Sequence, residues 1–242
     1  MITFIAISAL YMVAQVPEQT ARPTVSNAIS TMFVKYANAS ALTADMRFTQ
    51  TAQGKNVVVT SYLQYQKDKK FYLKQVRDKA QAFVISDGKF LTYPLPIDFQ
   101  GRPGESIIEA QGDQTILDVF NASSRSLFDN SPFFDVLISR KKNLRSLTEQ
   151  WVKLAWEDSN SDEWIATGNW RINDSVGPSG TFRLEMTTKG DPVRYTIRER
   201  VVIPKERLDI EVVSDWQIKV EFDKPGDPTL YKVKMPSASF AE

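Results

Sequence analysis

The sequence predicts an α+β fold that is mainly antiparallel β, and three observations point to that class. Apolar and polar residues alternate with period two over most of the chain, as in strands that cover one buried face. Two segments, one near the start and one in the middle, instead repeat their apolar residues at helical spacing. The strands are short and separated by polar or Gly/Pro turns, which favours an antiparallel sandwich or barrel over parallel βαβ units.

Composition restricts the possible functions. The chain has 242 residues, of which 42% are hydrophobic and 24% charged, so it can fold as one domain around its own core. It contains no His and no Cys, which excludes thiolate or His zinc sites, Cys-ligated iron–sulfur clusters and nucleophiles activated by His. The net charge of +1 predicts no broad electrostatic attraction to nucleic acid or to an anionic membrane.

The N-terminus has the character of an export signal. Residues Ile2–Val13 form an uncharged apolar run, too short to span a bilayer and suited to the apolar region of a signal peptide. We expect a signal peptide at residues 1–14, a linker at 15–23 and a single domain at 24–242, exported to the periplasm or cell envelope. Without Cys the mature chain cannot carry a thioether-linked lipid, so a soluble form is expected. A buried first strand or helix is the alternative interpretation of the run.

The first elements of the domain carry local signals. Thr24 can cap a helix whose apolar residues recur at helical spacing, which predicts an amphipathic helix over Val25–Ala37. Further along, Asp87-Gly88 lies between two apolar runs and predicts a tight hairpin in which both central positions take positive φ. Residues 94–113 contain Pro and Gly breaks and are predicted to be a loop.

Two helices are predicted in the middle of the chain, before strands resume. A short helix fits residues 116–120. A second helix, Ser131–Ile138, has Ser131 as N-cap, Pro132 at its first position and cations just after its end. The later strands are predicted at Trp151–Trp156, Trp164–Ile172, Phe182–Met186, Val193–Ile197, Leu208–Val212 and Trp216–Phe222.

No catalytic motif stands out. Without His, acid–base chemistry would fall to Asp, Glu, Lys or Tyr, and solvation in a hairpin loop accounts for the acids at Glu157-Asp158 and Asp162-Glu163. Dinucleotide-binding, P-loop and RNA-recognition motifs do not occur in the sequence. We therefore expect no enzyme activity, no cofactor, no metal and no nucleic-acid partner.

The apolar pattern leaves two interpretations open. One-sided strands and aromatic helices can close a dry core. The same residues can instead line a cavity filled by an acyl chain, because barrels and half-barrels enclose ligands when their interior side chains do not fill the space. Both arrangements require the same apolar face, so periodicity does not separate them.

The first half of the chain contains short motifs in a characteristic order. Phe48-Thr49-Gln50 follows the opening helix, Tyr62–Phe71 contains a K-F pair, and Ser86–Tyr93 begins S-D-G-K and continues as an apolar strand that ends in Tyr. Ser131–Phe134 opens the central helix with S-P-F. In this order and spacing, over roughly residues 25–138, the chain resembles a diverged member of the periplasmic outer-membrane lipoprotein carrier superfamily, the LolA/LolB-like proteins.

The resemblance implies a fold and a site. The fold is a curved antiparallel sheet, an unclosed half-barrel, with helices covering its concave face, and in the carriers that face binds the acyl chains of lipoproteins. The ligand-binding residues that the resemblance and the alternation imply are Leu63, Tyr65, Lys67, Phe71, Leu73, Phe83, Ile85, Leu91, Tyr93, Phe133, Phe134 and Leu137.

One departure from the carrier pattern lies at Lys67-Asp68. The carriers have an Arg-Pro pair there, and its Arg helps to hold the covering helix closed. Lys offers one compact ammonium where Arg offers a planar fork of donors, so this latch is not reproduced. The departure favours a diverged relative over a dedicated lipoprotein shuttle.

The sequence thus predicts an exported, non-enzymatic protein that holds acyl chains of a lipid or lipoprotein in an apolar half-barrel. The alternative is an envelope sensor or protein-interaction module of the same fold, with a dry core and a protein partner at its surface or rim. Lys67-Asp68 and the cations at Arg140–Lys142 favour that alternative.

Overall fold

A computed structural model describes residues 22–67, 70–95, 104–109, 151–157, 163–171, 179–203 and 208–233. These residues form one α-helix, α1 (Val25–Asn38), and eleven strands, followed by a 3₁₀ turn at Pro228–Tyr231. The strands are β1 (Ala41–Ala52), β2 (Lys55–Gln66), β3 (Lys70–Arg77), β4 (Ala80–Asp87), β5 (Phe90–Leu95), β6 (Gly104–Glu109), β7 (Trp151–Trp156), β8 (Glu163–Arg171), β9 (Ser179–Thr187), β10 (Pro192–Ile203) and β11 (Leu208–Phe222).

All eleven strands belong to one antiparallel sheet, in the order β6-β5-β4-β3-β2-β1-β11-β10-β9-β8-β7. Strands adjacent in sequence pair within two meanders, β1–β6 and β7–β11, and the pairing of β1 with β11 joins the two. Among the described residues β6 and β7 form the two edges and do not pair with each other, so the sheet is not closed. The predicted fold class, a mainly antiparallel unclosed half-barrel, is confirmed.

Helix α1 begins as predicted. Thr24 is the N-cap, and its hydroxyl accepts a hydrogen bond from the backbone N–H of Asn27 at 3.3 Å. Lys35 in the last turn suits the negative end of the helix dipole. The apolar stripe of the helix is buried in the core and consists of Val25, Ala28, Ile29, Met32, Phe33 and Tyr36.

Alternation divides the sheet into two faces. In β1, Leu42, Ala44 and Met46 are buried, whereas Asp45 and Arg47 between them are exposed. The cross-strand register carries the same phase into the neighbouring strands on both sides. The face with the buried apolar residues is here called the inner face, and the opposite one the outer face.

Four aromatic side chains form a row across the inner face. Phe48 stacks on Trp216 with ring centroids 5.0 Å apart, and Trp216 stacks on Tyr195 at 5.4 Å. Phe182 continues the row in a tilted contact with Tyr195 at 6.1 Å. Such pairs contribute about 0.5–1.5 kcal/mol each beyond area burial. Side-chain packing therefore crosses the same junction of β1 with β11 as the backbone ladder.

The segment after β11 lies against the outer face and is held there by a buried amide. Gln64 is buried; its Nε2 donates to the carbonyl oxygen of Asp227 at 2.8 Å, and its Oε1 accepts from the Asp227 backbone N–H at 3.0 Å. A Cβ at Gly226 would lie 1.9 Å from the Gln64 carboxamide carbon. Glycine therefore permits this close approach.

The predicted hairpin at Asp87-Gly88 forms, but with one left-handed residue. Gly88 has a φ of 96°, whereas Asp87 does not take positive φ. Instead, the Asp87 carboxylate accepts hydrogen bonds from the backbone N–H groups of Lys89 at 2.8 Å and Phe90 at 2.7 Å. The aspartate side chain thus satisfies backbone donors of the turn.

Two predictions of extent are wrong. The predicted loop at residues 94–113 contains β6, which pairs with β5 along its whole length; Pro94 and Gly104, two of the breaks behind the prediction, lie within β5 and β6. The predicted strands Leu208–Val212 and Trp216–Phe222 are a single strand, β11. They are continuous because Ser214 between them keeps the alternation and is itself buried.

Several predictions fall outside the described residues. They are the signal peptide at residues 1–14, most of the linker at 15–23, and the helices at 116–120 and 131–138.

The two faces of β4 lead to a stability prediction. Val84 is buried on the inner face, while Phe83 lies opposite Lys74 on the outer face, with the ammonium 5.8 Å from the ring centroid. Val84→Asp should lower the free energy of unfolding by at least about 3 kcal/mol, because it buries an unpaired charge. Phe83→Asp, the matched control, places its carboxylate opposite Lys74 and should cost less than about 2 kcal/mol.

Urea denaturation of both variants measures this difference. An equal loss, or a larger loss in the Phe83 variant, would contradict the assignment of the two faces.

Candidate functional site

Five of the predicted ligand-binding residues lie together on the inner face. Leu63, Tyr65, Phe71, Leu73 and Leu91 are all buried. The register places Leu63 opposite Leu73 and Tyr65 opposite Phe71 on adjacent strands. They form the apolar surface of the β2–β5 half of the sheet, and their role as ligand contacts stays a prediction.

The expected inner position of Phe83 and Ile85 is wrong, because both lie on the outer face. The inner positions of β4 are occupied by Ala82, Val84 and Ser86, which are buried. Residues 83–85 are apolar at three successive positions. The local pattern therefore allows either Val84 or its two neighbours to face inward. Pairing with β3 selects Val84 as the inner residue.

The other predicted ligand-binding residues are less uniform in position. Lys67 lies in a turn after β2 with its side chain exposed, and its backbone N–H donates to the carbonyl oxygen of Ser40 at 2.7 Å. It therefore does not line the inner face. Tyr93 is half-buried and packs against the core. Outside the described residues lie Phe133, Phe134 and Leu137.

Helix α1 covers one end of the inner face. The indole N–H of Trp156 on β7 donates to the carbonyl oxygen of Pro23 just before the helix, at 2.8 Å. Near the helix C-terminus, the ring of Tyr36 meets Phe222 of β11 edge-on, with centroids 5.0 Å apart. Burial raises the pKa of the Tyr36 hydroxyl far above its ordinary value, as expected for a dry environment.

Burial decreases toward the opposite end of the inner face. Along β2 the exposed fraction rises from 0% at Val59 to 41% at Val57. Along β10 it rises from 1% at Tyr195 to 7% at Ile197, and Glu199 beyond them is half-buried. This end, here called the mouth, comprises Gln50, Val57, Glu199 and Val212, with the buried Ser214 behind them.

The mouth combines apolar and polar side chains. Gln50 Nε2 on β1 donates to Ser214 Oγ on β11 at 3.3 Å. Glu199 on β10 lies opposite Val212 of β11 and Gly180 of β9. Burial raises the pKa of the Glu199 carboxyl. Polar side chains at this rim therefore lie next to the apolar interior.

A polar groove of about 800 Å³ lies on the outer face. It crosses β1, β11, β10, β9 and β8 and reaches Lys153 on β7, and two rows of side chains form most of its lining. In order across the strands, one row is Thr49, Asp215, Thr196, Arg183 and Thr167, and the next is Thr51, Val213, Arg198, Thr181 and Asn169.

The sequence patterns did not predict this groove. The outward-facing positions of several strands are rich in Thr and Arg, and this enrichment is visible in the sequence. These residues lie together only because β1 pairs with β11, and no local sequence pattern specifies that pairing.

The cations of the groove are paired to different degrees. Arg194 Nε donates to Asp215 Oδ1 at 2.7 Å, and the same oxygen accepts from the Thr196 hydroxyl at 2.7 Å. Arg198 is 61% exposed, and its NH1 lies 3.7 Å from the nearest carboxylate oxygen, on Glu211, beyond hydrogen-bond distance. Arg198 is therefore more exposed than Arg194 and more weakly paired.

The described residues contain no group of three or more acidic side chains placed to hold a metal ion. They also contain no helix with the length and apolar character needed to cross a membrane.

No family model matches the chain, and no curated protein matches it. Several solved structures are similar to it. A chain of the Pseudomonas aeruginosa MucA/MucB complex has 9% identity and a TM-score of 0.42, with 86% of this chain and 60% of that chain covered. The present chain therefore spans about 60% of the length of that structure's chain.

Two further structures are covered over most of their length. The LolA superfamily protein NE2245 from Nitrosomonas europaea has 10% identity and a TM-score of 0.34, with 87% of this chain and 99% of that chain covered. LprF from Mycobacterium bovis has 8% identity and a TM-score of 0.41, with 83% and 93% covered. One of these two similar structures is thus a protein of the LolA superfamily, the family that the sequence motifs resemble.

Gly180 leads to a prediction about the strands beside the mouth. A Cβ at this position would lie 2.1 Å from the carbonyl oxygen of Arg198, a backbone atom that cannot rotate away. Gly180→Ala should therefore lower the free energy of unfolding by about 1–3 kcal/mol. Thr181→Ala, at the exposed neighbouring position, should change it by less than about 0.5 kcal/mol. Chemical denaturation tests both, and wild-type stability of the Gly180 variant would refute the close contact between β9 and β10.

Proposed function

We propose that the chain is an exported, non-enzymatic protein that binds the acyl chains of a lipid or lipoprotein against the inner face, with the mouth as the entrance. One observation carries the proposal. The inner face is a continuous apolar surface that is buried under α1 and partly exposed at the mouth, so an acyl chain can contact it from the mouth with its polar end at the rim.

The dimensions of the inner face suit such a ligand. From Gln50 at the mouth to Leu42 near α1, β1 extends about 27 Å at the rise of a β-strand. The acyl chains of one bilayer leaflet occupy roughly 15 Å. Binding requires no directional chemistry, because burial contributes about 0.8 kcal/mol for each CH₂ group. The apolar face therefore supports binding of a chain without specifying its identity.

The direct experiment is to purify the protein from its native envelope and analyse co-purified lipid by mass spectrometry. A stoichiometric acylated molecule supports the proposal. Protein that is consistently empty, and that also fails to increase the fluorescence of the neutral apolar probe N-phenyl-1-naphthylamine, would refute it.

A matched pair of variants localises the binding. Val212 and Val213 are adjacent and both half-buried, but Val212 faces the mouth and Val213 lines the outer groove. Val212→Trp should fill the mouth and weaken probe binding several-fold, whereas Val213→Trp should leave it unchanged. Fluorescence titration measures both affinities, with circular dichroism to confirm folding. Equal affinities in two folded variants would place the ligand elsewhere.

A second candidate function is protein interaction through the outer groove. The groove crosses five strands, about 19 Å at the spacing of a β-sheet, and one of its exposed cations, Arg198, has no carboxylate within hydrogen-bond distance. Those features suit an extended acidic segment of a partner protein, because complementary charge gives orientation and a fast encounter. This function does not require an occupied inner face.

Charge reversal tests the second candidate. Arg198→Glu should weaken the binding of a fluorescent oligoglutamate peptide several-fold at low ionic strength, measured by anisotropy, because it reverses the charge of an exposed cation of the groove. Arg200→Glu is the control: it changes charge on the same strand and the same face, but Arg200 does not line the groove. Equal losses in the two variants would indicate a general effect of net charge and refute the groove as the docking site.

A further inference from the structure

Glu199 is a carboxylate on the inner face. It lies on β10 in the same phase as Tyr195 and Ile197, which belong to the core. Its cross-strand neighbours are Val212 on β11 and Gly180 on β9. A charged side chain in this position is surrounded by residues that otherwise exclude charge.

Within the described part of the chain, no cation or hydrogen-bond donor pairs with Glu199. The adjacent arginines, Arg198 and Arg200, point to the outer face and pair there with Glu211 and Asp209 respectively. Burial alone raises the pKa of the Glu199 carboxyl, with no charged neighbour contributing. A carboxylate that is partly removed from water without a partner is destabilised in its charged form, so a cation brought to it would be stabilised.

Glu199 is half-buried, so a cation can reach its carboxylate. Gly180, opposite on β9, contributes no side chain beside it. On the other side, Ser214 lies diagonally across β11 and accepts the hydrogen bond of Gln50. The hydroxyl and amide oxygens there are further acceptors for an N–H donor.

We propose that the mouth selects amphiphiles whose polar end is an aliphatic ammonium, with Glu199 as the carboxylate that pairs with it. This inference rests on the proposed function, because the alkyl chain of the ligand is taken to lie on the inner face. An anionic head group would be repelled by Glu199, and a neutral hydroxyl would gain no ion pair.

Competition with ligands of equal chain length tests the proposal. Dodecylammonium, dodecanol and dodecanoate, each below its critical micelle concentration, compete with N-phenyl-1-naphthylamine for the full-length protein. Dodecylammonium should bind about tenfold more tightly than dodecanol, as one charge-assisted hydrogen bond would give. Dodecanoate should bind more weakly than dodecanol.

Glu199→Gln should remove the preference for dodecylammonium and leave the affinity for dodecanol unchanged. Glu211→Gln is the control, because it removes the same charge from the outer face of the neighbouring strand; it should retain the preference. Circular dichroism verifies that both variants fold.

The outcomes separate this inference from the function on which it rests. If dodecanol displaces the probe as well as dodecylammonium does, the acyl-binding function stands and the ammonium selectivity is refuted. If the preference exists but survives Glu199→Gln, Glu199 is not the group responsible. If none of the three ligands displaces the probe and the probe itself does not bind, the acyl-binding function fails.

Discussion

The pairing of β1 with β11 is the contact on which the rest of the structure depends. It joins two meanders that would otherwise be separate sheets, in a register that runs from Leu42 opposite Phe222 to Ala52 opposite Val212. A slip of one residue would turn the apolar residues of one meander to the other face. The stack of Phe48 on Trp216 crosses this junction and opposes such a slip. The inner face, the mouth and the outer groove all require this one register.

That register places apolar side chains on one face of the sheet and polar, charged side chains on the other. The inner face stabilises the fold by apolar burial, and α1 keeps one end of it dry through contacts such as Tyr36 on Phe222. The outer face carries hydroxyls and ion pairs that remain hydrated, as at Arg194 and Asp215. Surface ion pairs of this kind contribute little to stability. Glu199 is the exception, since it places a charge on the apolar side.

Much of the fold could be predicted from the sequence, because local signals specify it. The Thr24 cap and the apolar spacing determine α1, and alternation identifies most strands. Prediction failed where the local apolar pattern is compatible with either orientation of the strand. Residues 83–85 are apolar in both phases, and only the pairing with β3 decides that Val84 faces inward. The mouth and the groove could not be predicted for a different reason: each combines residues from strands far apart in sequence, and their adjacency follows from the non-local β1–β11 pairing.

The same alternation makes the two candidate functions compatible. Consecutive residues on a strand point to opposite faces. On β1, Gln50 therefore lies at the mouth, while Thr49 and Thr51 line the groove. On β10, Glu199 faces the mouth and the adjacent Arg198 lines the groove. A ligand on the inner face and a partner on the outer face would therefore contact the same three strands, β1, β10 and β11, mostly through different side chains; Phe182 belongs to the inner aromatic row and also lines the groove. Coupling between two such sites would therefore pass through the backbone of those strands and through Phe182.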